Sequence, residues 1–193
     1  MTPQGLRKDS YCSYCGTAMP TPTGPVGEPG YPRTCPSCAT TVWSNPIPVA
    51  VVLQPVLKGD RTGLLVVRRG IEPRRGLLAL VGGFVEDHET VQEGGAREMR
   101  EETNVIVASE RLRPFGFTST DPRPNRVLLF LAGDPLHGGQ LGAFAANSET
   151  LERGLVFGPA RLAEVFAFPL HLEAAKRWFA ERGAEGPHDY ETI

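Results

Sequence analysis

The chain has 193 residues, with 20 Lys and Arg against 22 Asp and Glu and a formal net charge of −2 at pH 7. That balance lacks the basic excess of a nucleic-acid binder, and no apolar run approaches the roughly 20 residues that a membrane-spanning helix needs. The length suits one domain of about 150 residues with a small module attached, and the opening MTPQGLRKDS has no apolar core of a secretory signal, so the expected location is cytoplasmic.

All four cysteines fall in the first 38 residues, as Cys12-x2-Cys15 and Cys35-x2-Cys38, with 19 residues between the pairs. Each short knuckle turns two thiolates toward one point, and four thiolates suit a tetrahedral, structural Zn2+ with no open coordination position. Two disulfides or a redox CxxC are the competing readings. Without an export signal or a thioredoxin-like βαβ pattern around either pair, both are disfavoured. The expected division is a zinc ribbon over residues 1–45 and a second domain over 46–193. Between the knuckles, MPTPTGPVGEPGYPRT is rich in Pro and Gly and reads as a loop or loose hairpin tip.

From Val49 onward, VAVVLQPVL and GLLVVRR are β-branched and aliphatic runs bounded by Gly and Asp, hence two strands. Arg68, Arg69, Arg74 and Arg75 follow in RRGIEPRRG at a strand end and loop; they either grip a diphosphate or form a solvated surface. Arg68, Arg74 and Arg75 are taken as candidate substrate contacts, with Arg123 and Arg126 in the later stretch TSTDPRPNR. LLALV is a further strand, and Gly82-Gly83 after it permits a sharp turn and a close approach to a ligand.

Thr90 and Glu93 have the spacing of a capping box, which predicts a helix from about residue 91 to about 102. Along it Glu98, Glu101 and Glu102 stand at i, i+3 and i+4, within an arc of roughly 100° on one face. A solvated acidic face is the ordinary meaning of such a run. A hard divalent cation, Mg2+ or Mn2+, is the alternative, because such ions take one or two carboxylates and complete their shell with water and phosphate. Downstream, VIV, RLRPFGFTST and RVLLFLAG read as strands, GDPLHGGQLGAFAANSE as a long irregular segment, and GLVF as another strand. A short helix about 160–165, a longer one about 170–182 and an irregular tail complete the chain.

Gly83-x5-Glu89-x7-Arg97-Glu98-Met99-x-Glu101-Glu102-x-Asn104-Val105 resembles the Nudix box, G-x5-E-x7-R-E-U-x-E-E-x-G-U with U apolar, at every specified position except Asn104. Asn tolerates the left-handed conformation that the usual glycine supplies. The resemblance implies an α/β fold, the Nudix α/β/α sandwich with a mixed sheet, preceded here by the ribbon. It implies that Glu98, Glu101, Glu102 and the Gly83 carbonyl hold Mg2+ or Mn2+. Arg97 then orients the glutamates, Glu89 steadies the loop and helix, and Glu149 from a late loop completes the cluster, with Glu152 as its substitute. Glu98 or Glu149 is implied as general base.

Ribbon-bearing branches of the family hydrolyse the diphosphate of a dinucleotide or nucleotide sugar. This chain lacks the SQPWPFPxS signature of the NADH pyrophosphatases, which also remove NAD caps from RNA, and has TSTDPRPNR instead. The resemblance therefore favours ADP-ribose or FAD as substrate over NADH, NAD or an NAD-capped RNA end. It also implies a homodimer. A non-catalytic nucleotide sensor with a partner-binding ribbon is the rival from another class.

Overall fold

The computed structural model describes residues 9–20, 30–121 and 125–193. The first eight residues, the Pro- and Gly-rich stretch at 21–29 and Arg123 with its flanking prolines lie outside the described residues. The chain divides into two units, Met1–Pro46 and Ile47–Ile193. Among the described residues no helix is long and apolar enough to cross a membrane.

In the first unit, β1 (Arg33–Thr34) and β2 (Thr41–Val42) pair antiparallel. The two cysteine knuckles repeat one geometry. The Cys12 N–H donates to the Thr17 carbonyl at 2.8 Å, and the Cys35 N–H donates to the Thr40 carbonyl at 2.9 Å. Gly16 and Ala39 close the equivalent turns at φ 72° and 60°. Cys12, Cys35 and Met19 form the small buried centre.

The second unit begins with β3 (Ile47–Leu53), β4 (Pro55–Lys58), β5 (Arg61–Arg69), β6 (Leu78–Ala79) and β7 (Val81–Phe84), followed by helix α1 (Val91–Thr103). It continues through β8 (Arg113–Ser119), β9 (Arg126–Ala132), β10 (Leu136–His137), β11 (Thr150–Val156), helix α2 (Pro169–Ala180) and β12 (Tyr190–Thr192). One sheet has the order β7-β3-β9-β8, with β3 and β9 parallel. The other runs β10-β4-β5-β11-β12, with β6 on β5.

Side-chain alternation along these strands divides the interior in two. Val51, Leu53, Leu64, Val66, Leu78 and Leu80 join Ala175, Trp178 and Phe179 of α2 in one core. Their neighbours Val52, Leu65, Val67, Ala79 and Val81 join Met99 of α1 in the other. The central strands β3 and β5 are thus apolar on both faces, as in the α/β/α layering expected from the sequence.

Three local expectations are corrected. VIV at 105–107 is in no strand, although Val105 is buried and Ile106 is exposed, because among the described residues no strand pairs with it. Only a 3-10 turn, Leu162–Glu164, forms where a short helix was expected. The tail is ordered by pairing, with Tyr190, Glu191 and Thr192 opposite Val156, Leu155 and Gly154.

Candidate active site

Helix α1 begins as its sequence dictates. The Thr90 hydroxyl accepts from the Glu93 N–H at 3.3 Å, and the Glu93 carboxylate accepts from the Thr90 N–H at 2.7 Å. The helix interior nevertheless contains Gly94 and Gly95, each costing about 1 kcal/mol relative to Ala. Both are buried, and a Cβ on Gly95 would stand 2.9 Å from Leu131 and 3.1 Å from Val52. The missing side chains let α1 lie close on β3 and β9, which brings its acidic face over the β7 glycines. A Cβ on Gly83 would collide with the Glu98 carboxylate.

Arg97 ties the loop to this face. Its guanidinium donates to both carboxylate oxygens of Glu89 at 3.1 and 2.8 Å, to Glu98 at 2.7 Å, to Glu101 at 3.1 Å and to the Phe84 carbonyl at 2.9 Å. The Arg97 bonds draw the Glu89 carboxyl down to about 2. Glu89 is therefore a fixed anion that anchors Arg97.

Glu102 sits deeper. The Gly82 N–H donates to its carboxylate at 3.1 Å, but burial, together with the Glu98 and Glu149 charges, pushes its pKa up to about 8. Burial also raises Glu98 against the opposing pull of Arg97. Glu98, Glu101, Glu102 and Glu149, with Asn147 and Ser148, surround a cavity of 220 Å³. The donors are all hard oxygens and the space between them is wide. Such a set fits a divalent ion that fills its remaining positions with water and phosphate.

The same four glutamates form one end of a 640 Å³ cleft that also includes Gly83, Phe84, Arg69, Phe168 and His171. His171, near the start of α2, is 8% exposed, and its buried Nδ1 has no hydrogen-bond partner among the described residues. Burial, with a smaller push from Arg69, lowers its pKa to about 4, so it is neutral at pH 7.

The sequence model of the NUDIX domain matches residues 46–179. The chain belongs to the Nudix hydrolase family. It is 32% identical over 123 residues to the NAD-capped RNA hydrolase NudC of Deinococcus radiodurans, covering 64% of this chain and 41% of that protein. It is 36% identical over 95 residues to the ADP-ribose pyrophosphatase of Methanocaldococcus jannaschii, covering 49% and 55%. The chain thus spans about half the length of these curated relatives. A NUDIX hydrolase structure from Nitrosomonas europaea superposes with a TM-score of 0.67 at 28% identity, covering 92% of this chain and 96% of that one.

The arginines of this Nudix domain are distributed differently from the expectation. Arg68 donates to Glu152 at 2.6 Å and to the Gly76 carbonyl at 2.9 Å, and it lies outside the cleft lining. Tyr190 also donates to Glu152 at 3.1 Å, so the expected substitute for Glu149 is engaged with Arg68 and β12. Arg69, one residue on, faces the cleft instead and stacks over Phe168 at 4.8 Å. Strand alternation is the reason, since adjacent side chains take opposite faces. Arg74 and Arg75 are exposed outside the cleft lining, where the loop contributes Ile71, Glu72 and Pro73. Arg126 is also outside the cleft lining, but it stacks over Phe84, which belongs to that lining, at 5.3 Å. Arg123 lies outside the described residues.

In the first unit the four cysteine Sγ atoms lie within 4.8 Å of one another. Cys12 and Cys38 are 3.7 Å apart at sulfur, and Cys15 and Cys35 are 3.6 Å apart. A tetrahedron with Zn–S bonds of about 2.3 Å has edges of about 3.8 Å, whereas a disulfide needs about 2.05 Å. The donor set therefore fits zinc. Hydrogen bonding to Thr17 lowers the Cys15 thiol to about 6, and Thr40 acts in the same direction on Cys38. Both shifts favour the thiolates that a metal requires.

Proposed function

We propose that the cleft hydrolyses the diphosphate linkage of a nucleoside diphosphate derivative, ADP-ribose or FAD, to AMP and a phosphorylated second half. The observation that carries this reading is the continuity of the 640 Å³ cleft from the acidic cluster to Arg69, Phe84, Phe168 and His171. That volume lies in the range of small-molecule sites, about 300–1,000 Å³. A diphosphate suits the acidic end when a divalent cation is present, and a planar base suits the aromatic and guanidinium wall.

Glu98, Glu101, Glu102, Glu149 and the Gly83 carbonyl would hold Mg2+ or Mn2+, which screens phosphate charge and lowers the pKa of a water. Glu98 is held by Arg97. Among the described residues, the Glu149 carboxylate has no hydrogen-bond partner. Glu149 is thus the group available to take a proton from the attacking water.

Cleavage of an NAD cap is the second reading, favoured by the 32% identity to a NAD-capped RNA hydrolase. A panel of ADP-ribose, FAD, NADH, NAD and NAD-capped RNA with Mg2+ or Mn2+, assayed for AMP or for the decapped 5′ end, separates these readings. ADP-ribose or FAD should be turned over best. Tight ADP-ribose binding with no hydrolysis of any substrate would transfer the domain to the sensor class. The proposed homodimer is tested by light scattering, with a monomer mass refuting it.

A further inference from the structure

The one position at which the chain departs from the Nudix box makes a contact that glycine could not. Asn104 caps α1 in the left-handed conformation, φ 56° and ψ 25°, with its N–H on the last turn. Its side-chain amide donates to the Ala143 carbonyl at 2.8 Å. Two further side chains bind the same pair of segments. Asn147 donates to the Glu101 carbonyl at 3.1 Å, and its Oδ1 accepts from the N–H groups of Glu149 and Thr150, both at 2.8 Å. Arg153, 2% exposed, donates to the Thr103 carbonyl at 2.7 Å and to the Leu141 and Gly142 carbonyls, each at 2.9 Å. Carbonyls at a helix end lack intrahelical partners, and here the loop at 141–149 is fastened through that unmet capacity.

We propose that Asn104, Asn147 and Arg153 are positioning residues that latch this loop to the last turn of α1, thereby registering Glu149 against Glu98, Glu101 and Glu102. The proposal rests on the reading that Glu149 shares a divalent cation with the helix glutamates. Gly70 fixes the other side of Glu149. Its N–H donates to the Glu149 carbonyl at 2.6 Å, and a Cβ there would lie 2.8 Å from the Ser148 carbonyl oxygen. The backbone of Glu149 is thus held from Gly70, just past the end of β5, and from α1, while its carboxylate lines the acidic cavity. Asn104 belongs to neither the metal nor the substrate contacts. It acts only through the loop.

Asn104→Gly is the discriminating variant, because glycine retains the left-handed turn and removes only the amide. Mn2+ binding is measured without substrate, by the loss of the free-Mn2+ electron paramagnetic resonance signal, on zinc-loaded wild type, Asn104→Gly, Glu149→Gln and the double variant. Asn104→Gly should weaken Mn2+ binding about tenfold, the lower end of the range for groups that orient ligands, while the melting temperature moves by less than about 3 °C. Glu149→Gln should weaken binding further, and adding Asn104→Gly to it should have little additional effect. If Glu149→Gln weakens binding but Asn104→Gly does not, the latch is refuted and the Glu149 reading stands. Additive effects of the two changes also refute it, since Asn104 would then act by another route. If Glu149→Gln leaves binding unchanged, the fourth-ligand reading fails and the latch falls with it. Supporting variants are Asn147→Ser and Arg153→Lys, which should loosen hydrogen-exchange protection across 141–149 before the rest of the domain.

Discussion

Replacing Glu102 by Gln tests the electrostatics of the acidic cluster without using turnover as the sole readout. The folded protein keeps the Glu102 proton up to about pH 8, mainly through burial and the nearby Glu98 and Glu149 charges, whereas an unfolded glutamate releases it near its ordinary value. Folded stability without Mg2+ should therefore fall as pH rises from about 4.5 to about 8, and this contribution should be flat above that window. At about 1.4 kcal/mol per pH unit the ceiling is about 5 kcal/mol. Water entry and side-chain relaxation bring the expected effect to about 2 kcal/mol, or roughly 4–8 °C for a chain of this size. Glutamine keeps an acceptor for the Gly82 N–H and removes the charge. In Mg2+-free buffer at pH 8.5 the variant should melt several degrees above wild type, and the difference should vanish at pH 5. Millimolar Mg2+ should raise the wild-type melting temperature at pH 8.5 and leave the variant nearly unmoved, while the proposed pyrophosphatase activity falls by about a hundredfold or more in the variant. Equal pH slopes for the two proteins in calorimetry would refute the assignment of the proton to Glu102.

Other sites give independent expectations. Ala39 occupies a left-handed turn in the knuckle where its counterpart is Gly16, so Ala39→Gly should stabilise the ribbon and Gly16→Ala destabilise it, each by about 1 kcal/mol, read as opposite shifts in the chelator concentration that releases zinc. Zinc should be bound at one ion per chain, with four thiols becoming reactive together on its removal; stepwise reactivity would contradict a shared tetrahedral site. Arg69→Ala should raise KM for a dinucleotide about tenfold with kcat within about threefold, as for a binding contact. Arg68→Ala should leave KM unchanged and cost at most about 1 kcal/mol, since its Glu152 pair is partly solvated.

Much of the fold was legible because its signals are local. Thr90 and Glu93 declare the helix start, Asn104 declares its end, and doubly apolar strands such as VAVVL and GLLVV indicate a sheet covered on both faces. The misplaced features depend on distant partners. Tyr190–Thr192 has little strand character of its own and is ordered by β11, while Val105–Val107 alternates like a strand but, among the described residues, pairs with none. The long segment before Glu149 reads as irregular throughout, yet β10 and a 3-10 turn at Gly138–Gln140 occupy its first part, and only the stretch from 141 onward is irregular. Its placement comes from single bonds to α1 made by Asn104, Asn147 and Arg153, none of which has a periodic signature.

The arginine pair shows the limit most sharply. RRGIEPRRG offers four guanidinium groups whose charge is indistinguishable in the sequence, and one residue of strand phase gives Arg69 to the cleft and Arg68 to Glu152. The opposite end of the cleft is set by the contact phase of α2, which brings His171 in beside Phe168. The Nudix box thus fixes most of one end of the cleft through contiguous residues, and Glu149 joins it from the late loop. The other end is assembled from Arg69 of β5, the loop at 71–73 and the start of α2, so the proposed specificity depends on register between elements that the box does not contain. A slip of one residue in β5 would leave the box pattern intact and exchange Arg69 for Arg68 at the cleft.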